Sequence, residues 1–182
     1  MTTTRRKFLL ATAAVAAAGT ALTVGWSLLP VRQRLTPGRP LPVGPGQQAF
    51  NGWVAIGSDG LVTVMVPKSE MGQGVHTALA MVLADELDAD WASVRIAHPP
   101  LDPIYNNLAT VVDGLPFHPD DEGAIKRLAG HLTAKAMRKI GLQVTGGSSS
   151  LKDLWLPMRT AGASARAMLV AAAAQQWNLP AG

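Results

Sequence analysis

Cysteine is absent from this 182-residue sequence. Its absence rules out disulfides, even in an oxidising compartment. It also rules out a cysteine-ligated iron–sulfur cluster carried by this chain. Histidine is scarce: His76, His98, His118 and His131 are all there are. None stands in an H-x-H or H-E-x-x-H arrangement, so their spacing points to no zinc site. Charge is missing altogether from Phe8 through Val31, and no acidic residue precedes Asp59. The net charge of +4 is therefore a property of the first 39 residues. Residues 40–182 carry 10 basic and 12 acidic side chains, a net of −2. A nucleic-acid role loses its main electrostatic support.

What is present begins with Thr4-Arg5-Arg6-Lys7-Phe8-Leu9-Leu10, a pair of arginines ahead of the uncharged run. Residues 1–30 resemble a twin-arginine export signal, which implies a periplasmic location. An ordinary secretory signal or a plain membrane anchor is the alternative. The run is long enough to span a bilayer as a helix, which takes about 20 residues. No Ala-x-Ala site follows it in Val31-Arg32-Gln33-Arg34-Leu35. An uncleaved anchor that leaves Arg5, Arg6 and Lys7 in the cytoplasm is therefore one expectation.

Residues 31–50 read as a linker, because Pro37, Gly38, Pro40, Pro42, Gly44, Pro45 and Gly46 favour extended chain. Residues 51–182 form the globular part. Trp53–Gly57 and Leu61–Val66 flank Ser58-Asp59-Gly60, which predicts a hairpin. Val75, Ala78, Leu79, Val82, Leu83 and Leu87 form a stripe of 3.6-residue period and predict a helix over 75–87. Val94–Ala97 predicts a further strand. Prolines break residues 99–121, where Asn106-Asn107 and Asp113-Gly114 favour turns. A second helix is expected over 122–139, with Ile125, Leu128, Ala129, Leu132 and Ala136 on its apolar face. Lys126, Arg127, Lys135, Arg138 and Lys139 read as its solvated side, or as an anion-binding patch. A third, alanine-rich helix is expected over Arg159–Trp177. The fold class is α+β, a small mixed sheet with packed helices.

Two loops could carry chemistry. Glu70-Met71-Gly72-Gln73-Gly74-Val75-His76-Thr77 joins a strand to the mouth of a helix. Glycine lets backbone approach a ligand closely. A helix start offers N–H groups and a positive dipole end to an anion. Gln73 adds a side chain that both donates and accepts. The plainer reading is a tight turn needing glycine for backbone reasons alone. The second loop, Gln143-Val144-Thr145-Gly146-Gly147-Ser148-Ser149-Ser150, could form an anion nest or be a flexible Gly/Ser linker.

The Glu-Met-Gly-Gln-Gly block, the helix with an acidic exit, the Thr-Gly-Gly-Ser-Ser-Ser block and the alanine-rich helix occur here in that order. Together they resemble the large subunit of molybdenum hydroxylases, the xanthine dehydrogenase and aldehyde oxidase family. Within it the leader resembles the exported branch, of the isoquinoline 1-oxidoreductase beta subunit and membrane-bound aldehyde dehydrogenase type. The resemblance spans about residues 51–182. It implies a partial molybdopterin-binding domain whose cofactor, commonly the cytosine dinucleotide form, holds molybdenum through its own dithiolene. The absence of cysteine is compatible with that. It implies oxidative hydroxylation of an aldehyde or N-heterocycle, with electrons leaving through a separate [2Fe–2S] small subunit and a cytochrome c. Gly72, Gln73 and Gly74 would contact the cofactor, with the Gln73 amide near an oxygen ligand of molybdenum. Gly146, Gly147 and Ser148 would supply backbone and hydroxyl donors; Ser149 and Ser150 are weaker candidates. The family's catalytic glutamate belongs to a late motif in which Glu70, Glu86 and Glu122 do not stand; Glu70 reads instead as capping or orienting its loop. The expectation is thus a fragment with no catalytic residue and no metal ligand of its own, inactive alone. The alternative is a membrane-tethered periplasmic binding or assembly module.

Overall fold

The computed structural model describes residues 34–140 and 142–180, together with Gly25. The expected signal or anchor, residues 1–30, lies otherwise outside the described residues. The chain divides into Met1–Arg32 and Gln33–Gly182, and the sheet, the core and both glycine loops belong to the second unit. Among the described residues no helix is long and apolar enough to cross a membrane.

A four-stranded mixed sheet runs in the order β1 (Gln47–Ala49), β2 (Val54–Gly57), β3 (Val62–Met65), β4 (Val94–Ala97). The Asp-Gly hairpin forms as expected. Gly57 N–H donates to Leu61 C=O at 2.9 Å, and Asp59 accepts from Leu61 N–H at 3.0 Å. β2 and β3 pair antiparallel, with Ala55 opposite Thr63. β4 lies parallel to β3, with Val64 opposite Ile96. A parallel neighbour demands a crossover, and α1 (Val75–Leu87) provides it.

β1 falls inside the expected linker. The Pro/Gly-rich stretch is extended, as its composition dictates, but it is tied to the globular part. Gln48 pairs with Ile56, Gly52 N–H donates to Leu35 C=O at 2.7 Å, and Leu41 is buried. Three residues at a sheet edge leave no periodicity to read.

α1 buries Val75, Leu79, Ala80, Leu83, Ala84 and Leu87. The stripe is wider than one helix face because α1 packs on the sheet and, most extensively, on α4 (Ser150–Trp177). Trp53 and Tyr105 close the other end of the core. Their rings meet edge to face at 4.9 Å and both are fully buried. Trp53 Nε1–H donates to Arg34 C=O, and Tyr105 O–H to Gly52 C=O. Burial raises the Tyr105 phenol well above its ordinary pKa, with Asp102 adding to the effect.

Three helices also depart from expectation. α2 (Leu108–Asp113) forms where prolines suggested only irregular chain. Asn107 is its cap rather than a turn residue, accepting from Thr110 N–H at 3.1 Å. α3 (Ala124–Ile140) forms, but Ile125 and Leu128 are exposed while Lys135, expected in solvent, is buried. α3 packs on α2 and the 3₁₀ turn Pro103–Tyr105, so its contact face is not the stripe its sequence suggests. α4 starts nine residues before Arg159 and runs through Pro157. Proline lacks the N–H that would bond the carbonyl of residue i−4, here Asp153. Arg34 Nη1 donates to that carbonyl instead, at 3.1 Å.

Candidate functional site

β3 ends at Met65, and Lys68 leads into the first glycine loop. Gly72 and Gly74 take φ of +92° and +75°, a region other residues enter at a cost. A Cβ on either would meet nothing within 4 Å, so their backbone faces open space.

The helix mouth is not free for an anion. Glu70 Oε1 accepts from Gly72 N–H at 2.9 Å and Gly74 N–H at 2.8 Å, and Oε2 from His76 N–H at 3.0 Å. The chain's own carboxylate caps the helix, so these three amides already have an acceptor. The bonds from His76 and Gly74, then Gly72, hold the Glu70 pKa below its ordinary value. Gln73 is also turned inward. Its Nε2 donates to Ser69 C=O at 2.8 Å and its Oε1 accepts from Met71 N–H at 2.5 Å.

The second loop precedes α4. Gly147 and Ser148 are successive left-handed residues, with φ of +60° and +51°. A serine held there is strained by roughly 1–2 kcal/mol. Ser148 is exposed, whereas Ser149 is fully buried and anchors the loop. Ser149 Oγ donates to Gly146 C=O at 2.7 Å, accepts from Asn107 Nδ2 at 2.8 Å and meets Thr110 Oγ1 at 2.5 Å. A loop with those bonds is not a flexible linker. Gly146 is half-buried, and a Cβ on it would meet nothing within 4 Å.

The two loops adjoin. Ser69 N–H donates to Thr145 Oγ1 at 2.8 Å, and Lys68 Nζ to Val144 C=O at 3.3 Å. All six expected site residues thus lie on two neighbouring segments. Beneath them sits a buried polar cluster that the sequence did not reveal. Asp153 Oδ2 lies 3.2 Å from Arg34 Nη2 and 3.6 Å from Lys68 Nζ. Lys68 is fully buried, and desolvation lowers its pKa against the opposing pull of Asp153. Asp153 Oδ1 also accepts from Leu108 N–H at 2.9 Å and Ala109 N–H at 3.3 Å. The only signals were a lysine just past a strand and an aspartate in a helical first turn, and such residues are usually solvated. Glu86, by contrast, pairs with Arg159 at the α1–α4 surface. Among the described residues no group of three or more His, Cys, Asp or Glu could hold a metal ion.

Comparison with known proteins adds to this geometry. Residues 6–111 match the family described as molybdopterin cofactor-binding domain. That span contains the first glycine loop and stops short of the second. The chain is 34% identical over 131 residues to isoquinoline 1-oxidoreductase subunit beta of Brevundimonas diminuta, covering 72% of this chain and 13% of that protein. It is 35% identical over 128 residues to membrane-bound aldehyde dehydrogenase [pyrroloquinoline-quinone] of Gluconacetobacter polyoxogenes, covering 69% of this chain and 12% of that protein. The chain thus corresponds to about an eighth of either relative's length. With more than half of its residues matched, the chain belongs to the molybdopterin cofactor-binding domain family.

Proposed function

We propose that this chain supplies two adjoining backbone walls of the cofactor site of a molybdopterin-dependent oxidoreductase subunit. The observation that carries the proposal is the Ser69–Thr145 hydrogen bond, which joins two glycine loops far apart in sequence. The residues fit such a group. Gly72, Gly74 and Gly146 expose backbone with room in front of it, and Ser148 adds an exposed hydroxyl. A polar, phosphate-bearing pterin needs backbone it can approach this closely; with the Gly72 and Gly74 N–H groups bonded to Glu70, its donors would come from the second loop. When bound, the cofactor supplies the redox-active molybdenum. The protein's part here is to hold and orient it.

The finer reading comes from the family resemblance. The complete subunit hydroxylates an aldehyde or N-heterocycle, using the cytosine dinucleotide form of the cofactor. Gly72, Gln73, Gly74, Gly146, Gly147 and Ser148 contact that cofactor. Gln73 would hold the cofactor's molybdenum end through its amide, and to do so it would have to exchange its bonds to Ser69 and Met71. This stretch alone does not turn over substrate, since none of Glu70, Glu86 and Glu122 stands in the family's catalytic motif. Electrons pass to a [2Fe–2S] small subunit and a cytochrome c. The arginine pair Arg5-Arg6 supports export to the periplasm in a folded, cofactor-loaded state, with residues 8–31 as a membrane tether.

One observation favours a second reading, a tethered binding or assembly module without catalysis. Glu70 and Gln73 satisfy the first loop internally, as plain turns do. Gln73→Ala in the complete subunit separates the two. The proposal expects turnover to fall at least about 100-fold, the scale of a lost transition-state hydrogen bond, at unchanged thermal stability. Unchanged turnover would favour the module. One relative's name carries pyrroloquinoline quinone, so the bound cofactor is identified by mass spectrometry in the same preparation; finding the quinone alone would refute the molybdopterin assignment.

A further inference from the structure

We infer that Lys68 and Asp153, with Arg34, are positioning residues that fix the distance between the two glycine loops. The inference rests on the function proposed above for its purpose, but not for its geometry. Lys68 stands two residues before the first loop and Asp153 four residues after the buried Ser149 of the second. Lys68 Nζ reaches across both gaps, to Asp153 Oδ2 at 3.6 Å and to Val144 C=O at 3.3 Å. The Lys68 carbonyl accepts from His76 Nε2 at 2.7 Å, which ties the same residue to α1.

Asp153 divides its lone pairs among the elements that frame the loops. It holds Lys68 for the first loop and the Leu108 and Ala109 amides for α2. α2 in turn holds the second loop, through Thr110 Oγ1 on Gly146 C=O at 3.3 Å and on Ser149. Arg34 braces Asp153 with bonds to both carboxylate oxygens, and it also donates to Asn106 C=O at 2.6 Å. Ion pairs shielded from water have little freedom to rearrange without leaving a charge unpaired. A buried lysine that only filled space could be replaced by an apolar residue. One that bridges two loops cannot be replaced without freeing both.

Hydrogen exchange on the full chain tests this. Lys68→Met keeps the stem and removes the charge. Exchange is followed at amides 69–76 and 144–149, and at the β2–β3 ladder as a reference for global opening. Both loops are expected to lose at least about tenfold more protection than the ladder, because only they open locally. Uniform loss at all sites, or loosening of one loop alone, would overturn the inference. Should Lys68→Met fail to fold, Lys68→Gln keeps a polar end but removes the charge that meets Asp153, and it should loosen both loops against an unchanged ladder; no change there would also overturn it. Pterin content of the complete subunit is read in parallel. A wild-type subunit that retains no pterin defeats the proposed function and leaves the exchange result to stand by itself. A pterin-loaded subunit with uniform exchange defeats only the positioning role.

Discussion

Gly162 marks the closest approach of α1 and α4, and replacing it with alanine sets two effects of opposite sign against each other. In an isolated helix the change is favourable by about 1 kcal/mol. In the folded chain the new Cβ would lie 2.4 Å from Leu83 C=O, 2.9 Å from Glu86 Cβ and 3.2 Å from Leu87 N. Two of those atoms are backbone of α1 and cannot rotate away. Carbon contacts settle near 3.5–4.0 Å, so the helices must part by roughly 1 Å. Overpacking of this kind costs about 1–3 kcal/mol, and three simultaneous contacts place it at the upper end. Leu79, Leu83, Met158, Ala161 and Ala165, all fully buried, lose contact as the helices separate. The net expectation is a loss of about 2 kcal/mol, or roughly 4–8 °C in Tm for a chain of this size. Thermal unfolding followed by circular dichroism measures it. Gly130→Ala is the internal control. Its Cβ would meet only Val112 Cγ1 at 3.4 Å, so that variant should gain up to about 1 kcal/mol. A Gly162→Ala protein as stable as wild type would refute the helix apposition.

Other perturbations address the polar groups. Asp153→Asn leaves the Arg34 and Lys68 cations side by side in a buried place. Urea titration should show a loss of about 3–5 kcal/mol, the scale for breaking a buried pair; a loss below about 1 kcal/mol would mean that the site is open to water. Glu70 has a folded pKa below its ordinary 4.5. Its cap is therefore fully present above pH 4.5 and is lost only as pH falls through the lowered value. Exchange protection at the Gly72, Gly74 and His76 amides should fall in that acidic window and not before, and Glu70→Gln should weaken it at neutral pH. Protection lost already near pH 6 would implicate another group.

The legible parts of the fold were those with local causes. The Ser58-Asp59-Gly60 turn and the Leu79–Leu83–Leu87 stripe announce a hairpin and an amphipathic helix within a few residues of themselves. β1 was hidden because three edge residues among prolines show no period. The start of α4 was hidden because Pro157 reads as a break, and its remedy, Arg34, is distant in sequence. Lys135 was read by charge as solvated and Asp153 drew no reading at all, while the burial of both is decided by partners on other elements. Both glycine loops could be found from composition. Their contact through Ser69 and Thr145 could not, nor could the way Gln73 turns inward, since each depends on which hydrogen-bond partner the folded chain brings nearest.

The central claim is that ligand approaches the open backbone of these loops, and Gly146 offers the most direct test. Its φ is not among the positive ones, and a Cβ there meets nothing within 4 Å. Gly146→Leu should therefore leave folding intact while placing a side chain in the space reserved for the cofactor. Pterin and molybdenum per polypeptide are measured in the complete subunit carrying this change. The account predicts wild-type thermal stability of the unloaded protein with cofactor content reduced at least about tenfold, the equivalent of about 1.4 kcal/mol of lost binding. Full cofactor content in a normally folded Gly146→Leu subunit would contradict it.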